Sequence, residues 1–283
     1  MEIKCAKSAG FCFGVKRAVD TVYEQIAAAK GQAVYTYGPI IHNEEVIRDM
    51  REKGITVLQN IEELDAITQG IVIIRSHGVG KHVYDKLHEK GLHLVDATCP
   101  FVKKIHAIVE EQSAKEREIV IIGNKEHPEV IGTAEWAGEG AVVVGQTQEA
   151  ERFKSSNKNL CIVAQTTFNY KKFEELVEII RKKEYDIIVL NTICNATKSR
   201  QGEAKTIAKE SDAMLVIGDK RSSNTQKLFE ICKHACKATY YIQTLEDLDL
   251  SQLRDVKRVG ITAGASTPNT IIEEVQNNVR INF

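Results

Sequence analysis

Three of the seven cysteines in this chain share one local setting. Cys12 in Gly10-Phe11-Cys12-Phe13-Gly14-Val15, Cys99 in Asp96-Ala97-Thr98-Cys99-Pro100 and Cys194 in Asn191-Thr192-Ile193-Cys194-Asn195-Ala196-Thr197 each stand between a strand-like or loop segment and one of helical period. A thiolate at the start of a helix faces the positive end of the helix dipole, which lowers its pKa and makes it a soft-metal ligand. One free cysteine is commonly a small core hydrophobe, whereas three in the same context argue for ligation. Three thiolates without a fourth suit a 4Fe-4S cluster with one iron not held by cysteine, or a three-ligand catalytic zinc. Cys232 and Cys236 flank His234 at helical spacing without a matching pair elsewhere and read as a helix face, while Cys5 and Cys161 lie in strand-like apolar runs that suit packing.

A second set of residues suits an anion. His42 in Gly38-Pro39-Ile40-Ile41-His42-Asn43, His77 in Ser76-His77-Gly78 and His127 in Glu126-His127-Pro128-Glu129 each follow a strand-like run. With Ser222, Ser223, Asn224 and Ser266 they make a pocket of neutral donors and partly protonated imidazoles that fits a diphosphate without a lysine-rich loop. Glu129, in the same loop as His127, is a candidate proton donor, and the hydroxyls of Gln165-Thr166-Thr167 are placed to orient it. His82, His88, His93, His106 and His234 lie in helical or strand stretches and read as surface or packing residues.

The elements that must position these groups are legible as an alternation. Short β-rich runs at 33–37, 70–74, 92–95, 119–122, 141–144, 160–163, 186–190, 213–217 and 258–261 alternate with helical periodicity at 15–30, 81–90, 100–116, 170–183, 198–210, 224–236 and 269–279. That pattern predicts an α/β chain with mostly parallel sheets, whose ligands bind beyond the carboxyl ends of strands. Cys99 follows Cys12 by 87 residues and Cys194 follows Cys99 by 95, each close to one α/β subdomain. The spacing predicts three pseudo-threefold related subdomains, 13–97, 98–193 and 194–283 with 1–12, each bringing one cysteine to a common centre.

Composition narrows the function classes. The 283 residues carry 38 Lys and Arg against 39 Asp and Glu, a net charge of -1 that argues against nucleic acid as a partner. Aliphatic runs are too short for a membrane helix, and the N-terminal apolar stretch, 9–15, is short and holds two glycines. The expectation is a cytoplasmic chain with reduced thiols, off the membrane.

Taken in order, the Gly-Phe-Cys-x-Gly-Val start, the Ser-His-Gly loop, Asp-Ala-Thr-Cys-Pro, His-Pro-Glu, Gln-Thr-Thr, Ser-Ser-Asn and Thr-Ala-Gly-Ala-Ser-Thr-Pro resemble the 4-hydroxy-3-methylbut-2-enyl diphosphate reductase family, LytB/IspH, over essentially the whole chain. The resemblance implies a trefoil of three α/β subdomains around a central iron-sulfur site, and the last step of non-mevalonate (MEP) isoprenoid biosynthesis. It further implies a ferredoxin or flavodoxin as electron donor, and a monomer is expected. Carried over residue by residue, Cys12, Cys99 and Cys194 hold a 4Fe-4S cluster. The substrate's diphosphate lies among His42, His77, His127, Ser222, Ser223, Asn224 and Ser266. Glu129 supplies protons, Thr166 orients the 4-hydroxyl, and His127 belongs to both the catalytic and the binding set. Two rival readings of the same residues are a three-thiolate zinc hydrolase with Glu129 as base and a non-enzymatic iron-sulfur redox sensor.

Overall fold

The computed structural model of the chain describes residues 1–138 and 140–283. Its elements begin with β1 (Glu2–Cys5), α1 (Phe13–Ala28), β2 (Val34–Tyr37), α2 (Glu44–Glu52), β3 (Ile55–Leu58), β4 (Ile71–Ile74), α3 (Lys81–Glu89) and β5 (His93–Asp96). There follow α4 (Pro100–Ala114), β6 (Glu118–Ile122), α5 (Pro128–Ala134), β7 (Ala141–Val144), α6 (Thr147–Arg152), β8 (Asn159–Ala164), α7 (Tyr170–Arg181) and β9 (Asp186–Val189). The chain closes with α8 (Asn195–Glu210), β10 (Ala213–Ile217), α9 (Ser223–Ala235), β11 (Thr239–Ile242), β12 (Arg258–Ala263) and α10 (Asn269–Asn282).

Among the described residues these strands form three four-stranded sheets, ordered β1-β12-β10-β11, β3-β2-β4-β5 and β7-β6-β8-β9. Every pairing is parallel, so the expected α/β class with parallel sheets is borne out. By contacts the chain divides into two compact units. One comprises Met1–Lys16, His42–Arg48 and Asn195–Phe283, and the other Arg17–Ile41 and Asp49–Cys194.

The central strands are apolar throughout because both of their faces are covered. In the first unit, Ala213, Leu215 and Ile217 of β10 pack with Val275 and Val279 of α10, while Met214 and Val216 point the other way, onto Ala204 and Ile207 of α8 and Leu228 of α9. In the second unit, Val120 and Ile122 of β6 join Phe173, Leu176 and Ile180 of α7, while Ile119 and Ile121 face Ile105 and Val109 of α4. Successive side chains of a strand alternate faces, so a strand buried on both sides needs an unbroken apolar run. Cys161 and Cys232 are wholly buried in these cores. No helix among the described residues is long and apolar enough to cross a membrane.

Candidate functional site

In the second unit the polar groups gather where strands end. His77 stands in the turn after β4, where Ser76 Oγ donates to Ile40 O at 2.8 Å. His127 caps α5, and Pro128, which lacks the N–H a first-turn residue would leave unpaired, opens the helix. The two imidazoles meet edge to face, 5.3 Å between centroids. Glu129, expected in a loop, is in the first turn of α5 instead: the Pro-Glu pair starts a helix that is too short for periodicity to reveal. The Glu129 backbone N–H donates to His127 Nδ1 at 3.2 Å, so a neutral His127 carries its proton on Nε2.

Glu129 is only 3% exposed. Thr166, in the turn after β8, donates to it twice, from N to Oε1 at 2.5 Å and from Oγ1 to Oε2 at 2.6 Å. Burial pushes the carboxyl up to about 7, against the lowering effect of these two hydrogen bonds. The structure therefore brings Glu129, Thr166, His127 and His77 into one unit, with an acid whose neutral form persists to neutral pH. Cys99 caps α4 ahead of Pro100 and Cys194 precedes α8, with Cys194 N donating to Thr166 O at 3.0 Å.

The first unit holds the remaining residues. Ser222 caps α9, its Oγ accepting from Thr225 N at 3.4 Å, so Ser223 and Asn224 form the helix's first turn. Asn224 Oδ1 accepts from Ala265 N at 3.0 Å, which ties that turn to the loop after β12. Ser266, in the same loop, is 5% exposed and its Oγ has no hydrogen-bond partner among the described residues. A buried hydroxyl left this way is costly unless a ligand satisfies it. Cys12 precedes α1, and its N–H donates to Ala265 O at 3.3 Å. His42 lies just before α2, followed by Asn43, whose Oδ1 accepts from Val46 N at 3.1 Å.

The seven thiols separate by environment. Cys12, Cys99 and Cys194 are half-buried at helix starts; Cys5 is half-buried in β1, and Cys161, Cys232 and Cys236 are buried. Burial pushes Cys161 up to about 11, Cys232 up to about 12, and Cys5 and Cys236 upward as well. Two supporting residues went unread in the sequence. Arg17 of α1 donates to Thr98 O at 3.0 Å and Asp96 O at 3.1 Å, and Asp96 Oδ1 accepts from Thr98 N at 2.9 Å, so both brace the segment that carries Cys99. Asp two places before Thr is a local turn signal that would have flagged Asp96; nothing local marks Arg17.

The LytB protein family matches residues 3–280. The chain is 48% identical over 281 residues to the 4-hydroxy-3-methylbut-2-enyl diphosphate reductase of Thermoanaerobacter sp. (strain X514), covering 99% of this chain and 97% of that one. Among solved structures it is similar to the E-1-hydroxy-2-methyl-but-2-enyl-4-diphosphate reductase of Plasmodium falciparum, with a TM-score of 0.92 and 28% identity over 98% of this chain and 87% of that one. A second, described as (E)-4-hydroxy-3-methyl-but-2-enyl diphosphate reductase, the terminal enzyme of the non-mevalonate pathway, gives a TM-score of 0.72 and 42% identity over 99% and 100%.

Proposed function

The chain belongs to the LytB protein family, and on that premise we propose that it reduces (E)-4-hydroxy-3-methylbut-2-enyl diphosphate to isopentenyl and dimethylallyl diphosphate, the last step of the non-mevalonate pathway. The observation that carries the reading is the buried Glu129 carboxyl, neutral up to about pH 7 and clamped by Thr166. Reductive loss of an allylic hydroxyl consumes two electrons and two protons and releases water, so it needs a positioned acid and a source of electrons that side chains do not provide.

The donor set of Cys12, Cys99 and Cys194 fits a 4Fe-4S cluster: three soft sulfurs at helix starts, none of them sealed in a core. With one iron not held by cysteine, such a cluster supplies low-potential electrons and a Lewis acid. His42, His77, His127, Ser222, Ser223, Asn224 and Ser266 hold the diphosphate, His127 by its Nε2–H and Ser266 by the hydroxyl that lacks an internal partner. Thr166 fixes the Glu129 carboxyl beside the substrate hydroxyl, Glu129 gives its proton to that oxygen, and water leaves. Two electrons from the external donor and a second proton complete the reduction, and addition of that proton at either of two allylic carbons accounts for the two products. The relatives are reductases by name, which lends no support to the zinc-hydrolase and sensor alternatives.

The division into 13–97, 98–193 and 194–283 with 1–12 is retained in this reading, since each sheet takes its strands from one of these spans. Ferredoxin or flavodoxin as donor, a monomeric state and a cytoplasmic location complete the proposal. Metal analysis of protein purified without oxygen tests it: brown protein with iron and sulfide is expected, and a colourless, zinc-loaded protein would overturn the cofactor assignment.

A further inference from the structure

Four features converge on the turn that carries His77, all within the second unit. Gly78 adopts φ +72°, and a Cβ there would lie 2.6 Å from His106 Cε1, so the turn rests directly on the His106 ring. That ring stacks on Trp136, 5.0 Å between centroids and 16° between planes. Trp136 Nε1–H donates to Val79 O at 3.0 Å. Gly132 of α5 approaches the same residue so closely that a Cβ would sit 3.1 Å from Val79 Cα. Gly132 belongs to α5, the helix capped by His127 with Glu129 in its first turn; Trp136 follows directly after that helix's C-cap, Glu135, and His106 is on α4. His106 is buried and its Nε2 has no hydrogen-bond partner among the described residues, so its polar atom is a cost and its flat ring is what the site uses.

We propose that Trp136 and His106 are positioning residues: together they fix the Ser76-His77-Gly78 turn against α5 and so set the spacing of His77 and His127. The inference rests on the reading of those two histidines as diphosphate ligands. Ser76 is already tied to Ile40 O and to Cys99 N, so the His106–Trp136 pair adds support on the Gly78–Val79 side of His77, and preorganised ligands bind an anion more tightly because less ordering remains to be done on binding.

Titration calorimetry of inorganic diphosphate into the iron-loaded protein tests the coupling in wild type, Trp136→Phe, His77→Ala and the double variant. Trp136→Phe keeps a ring but loses the bond to Val79 O, and is expected to weaken binding about tenfold with iron content unchanged. In the His77→Ala background the same change should add less than about twofold, because the residue acts through His77. A purely structural role would lower thermal stability and give additive losses, and additivity or an unchanged Trp136→Phe affinity overturns the inference. If Trp136→Phe does not fold, His106 supplies the same comparison: His106→Ala should weaken binding while His106→Phe, which preserves the stack, restores it, and equal affinities would contradict the proposal. Unchanged affinity in His77→Ala would instead sink the diphosphate reading itself, an outcome distinct from a weakened His77→Ala beside a normal Trp136→Phe.

Discussion

The role proposed for Glu129 rests on where it is buried. Its carboxyl titrates near 7 in the fold, against an ordinary value of 4.5, because ionising it would place a charge in a buried site that water does not solvate. A folded pKa above the unfolded one means that the neutral acid's contribution to stability is fully present below the unfolded value and is lost as pH rises through about 7. Relative to wild type, Glu129→Gln should therefore gain stability between about pH 5 and about pH 8, by on the order of 3 kcal/mol, measurable by chemical denaturation across that range. The same titration predicts that the wild-type single-turnover rate falls above about pH 7 as the acid ionises. Glu129→Gln should be slower by roughly 10²-fold and lack that limb. A variant that binds poorly but reacts at the normal rate would make Glu129 a binding residue and Glu126 the acid to test. Among the thiols, Ser at Cys12, Cys99 or Cys194 should abolish the cluster, and Ser at Cys5, Cys161, Cys232 or Cys236 should spare it. Iron content across the seven variants decides this.

At the scale of elements, function depends on how tightly helix starts are pinned to strand ends. Gly264 follows β12, and a Cβ there would fall 1.9 Å from Thr225 Oγ1 at the start of α9. Gly264→Ala should push that turn away, cost about 1–3 kcal/mol in thermal denaturation and weaken diphosphate binding through Ser222 and Asn224. The strands visible in the sequence are mostly the buried ones, such as β4, β6 and β10, whose aliphatic runs need no partner to be recognised. β1, β3 and β11 escaped notice, and each is a sheet edge. β1 alternates exposed and half-buried residues over only four positions, too few to stand out as a period. The short α5 and α6 were hidden for a similar reason, having seven and six residues. The partnership of Glu129 with Thr166 was readable as residue types near strand ends, but its two hydrogen bonds span 37 positions and come from the fold alone.

For the whole molecule, the repeated interval between Cys12, Cys99 and Cys194 mirrors the three parallel sheets of four strands found among the described residues, each with helices packed on it. A ligand that binds only the folded state stabilises it by mass action, so inorganic diphosphate at about 100 times its dissociation constant should add about 2.7 kcal/mol. Thermal denaturation would show this as a raised Tm in wild type, shrunken in His42→Ala. The most direct test of the account is product analysis after a single turnover: oxygen-free, iron-loaded protein is given a low-potential reductant and (E)-4-hydroxy-3-methylbut-2-enyl diphosphate. The account predicts isopentenyl and dimethylallyl diphosphate in wild type and nearly none from Cys99→Ser; unreacted substrate with iron-loaded wild type, or hydrolysis to free phosphate in place of reduction, would contradict it.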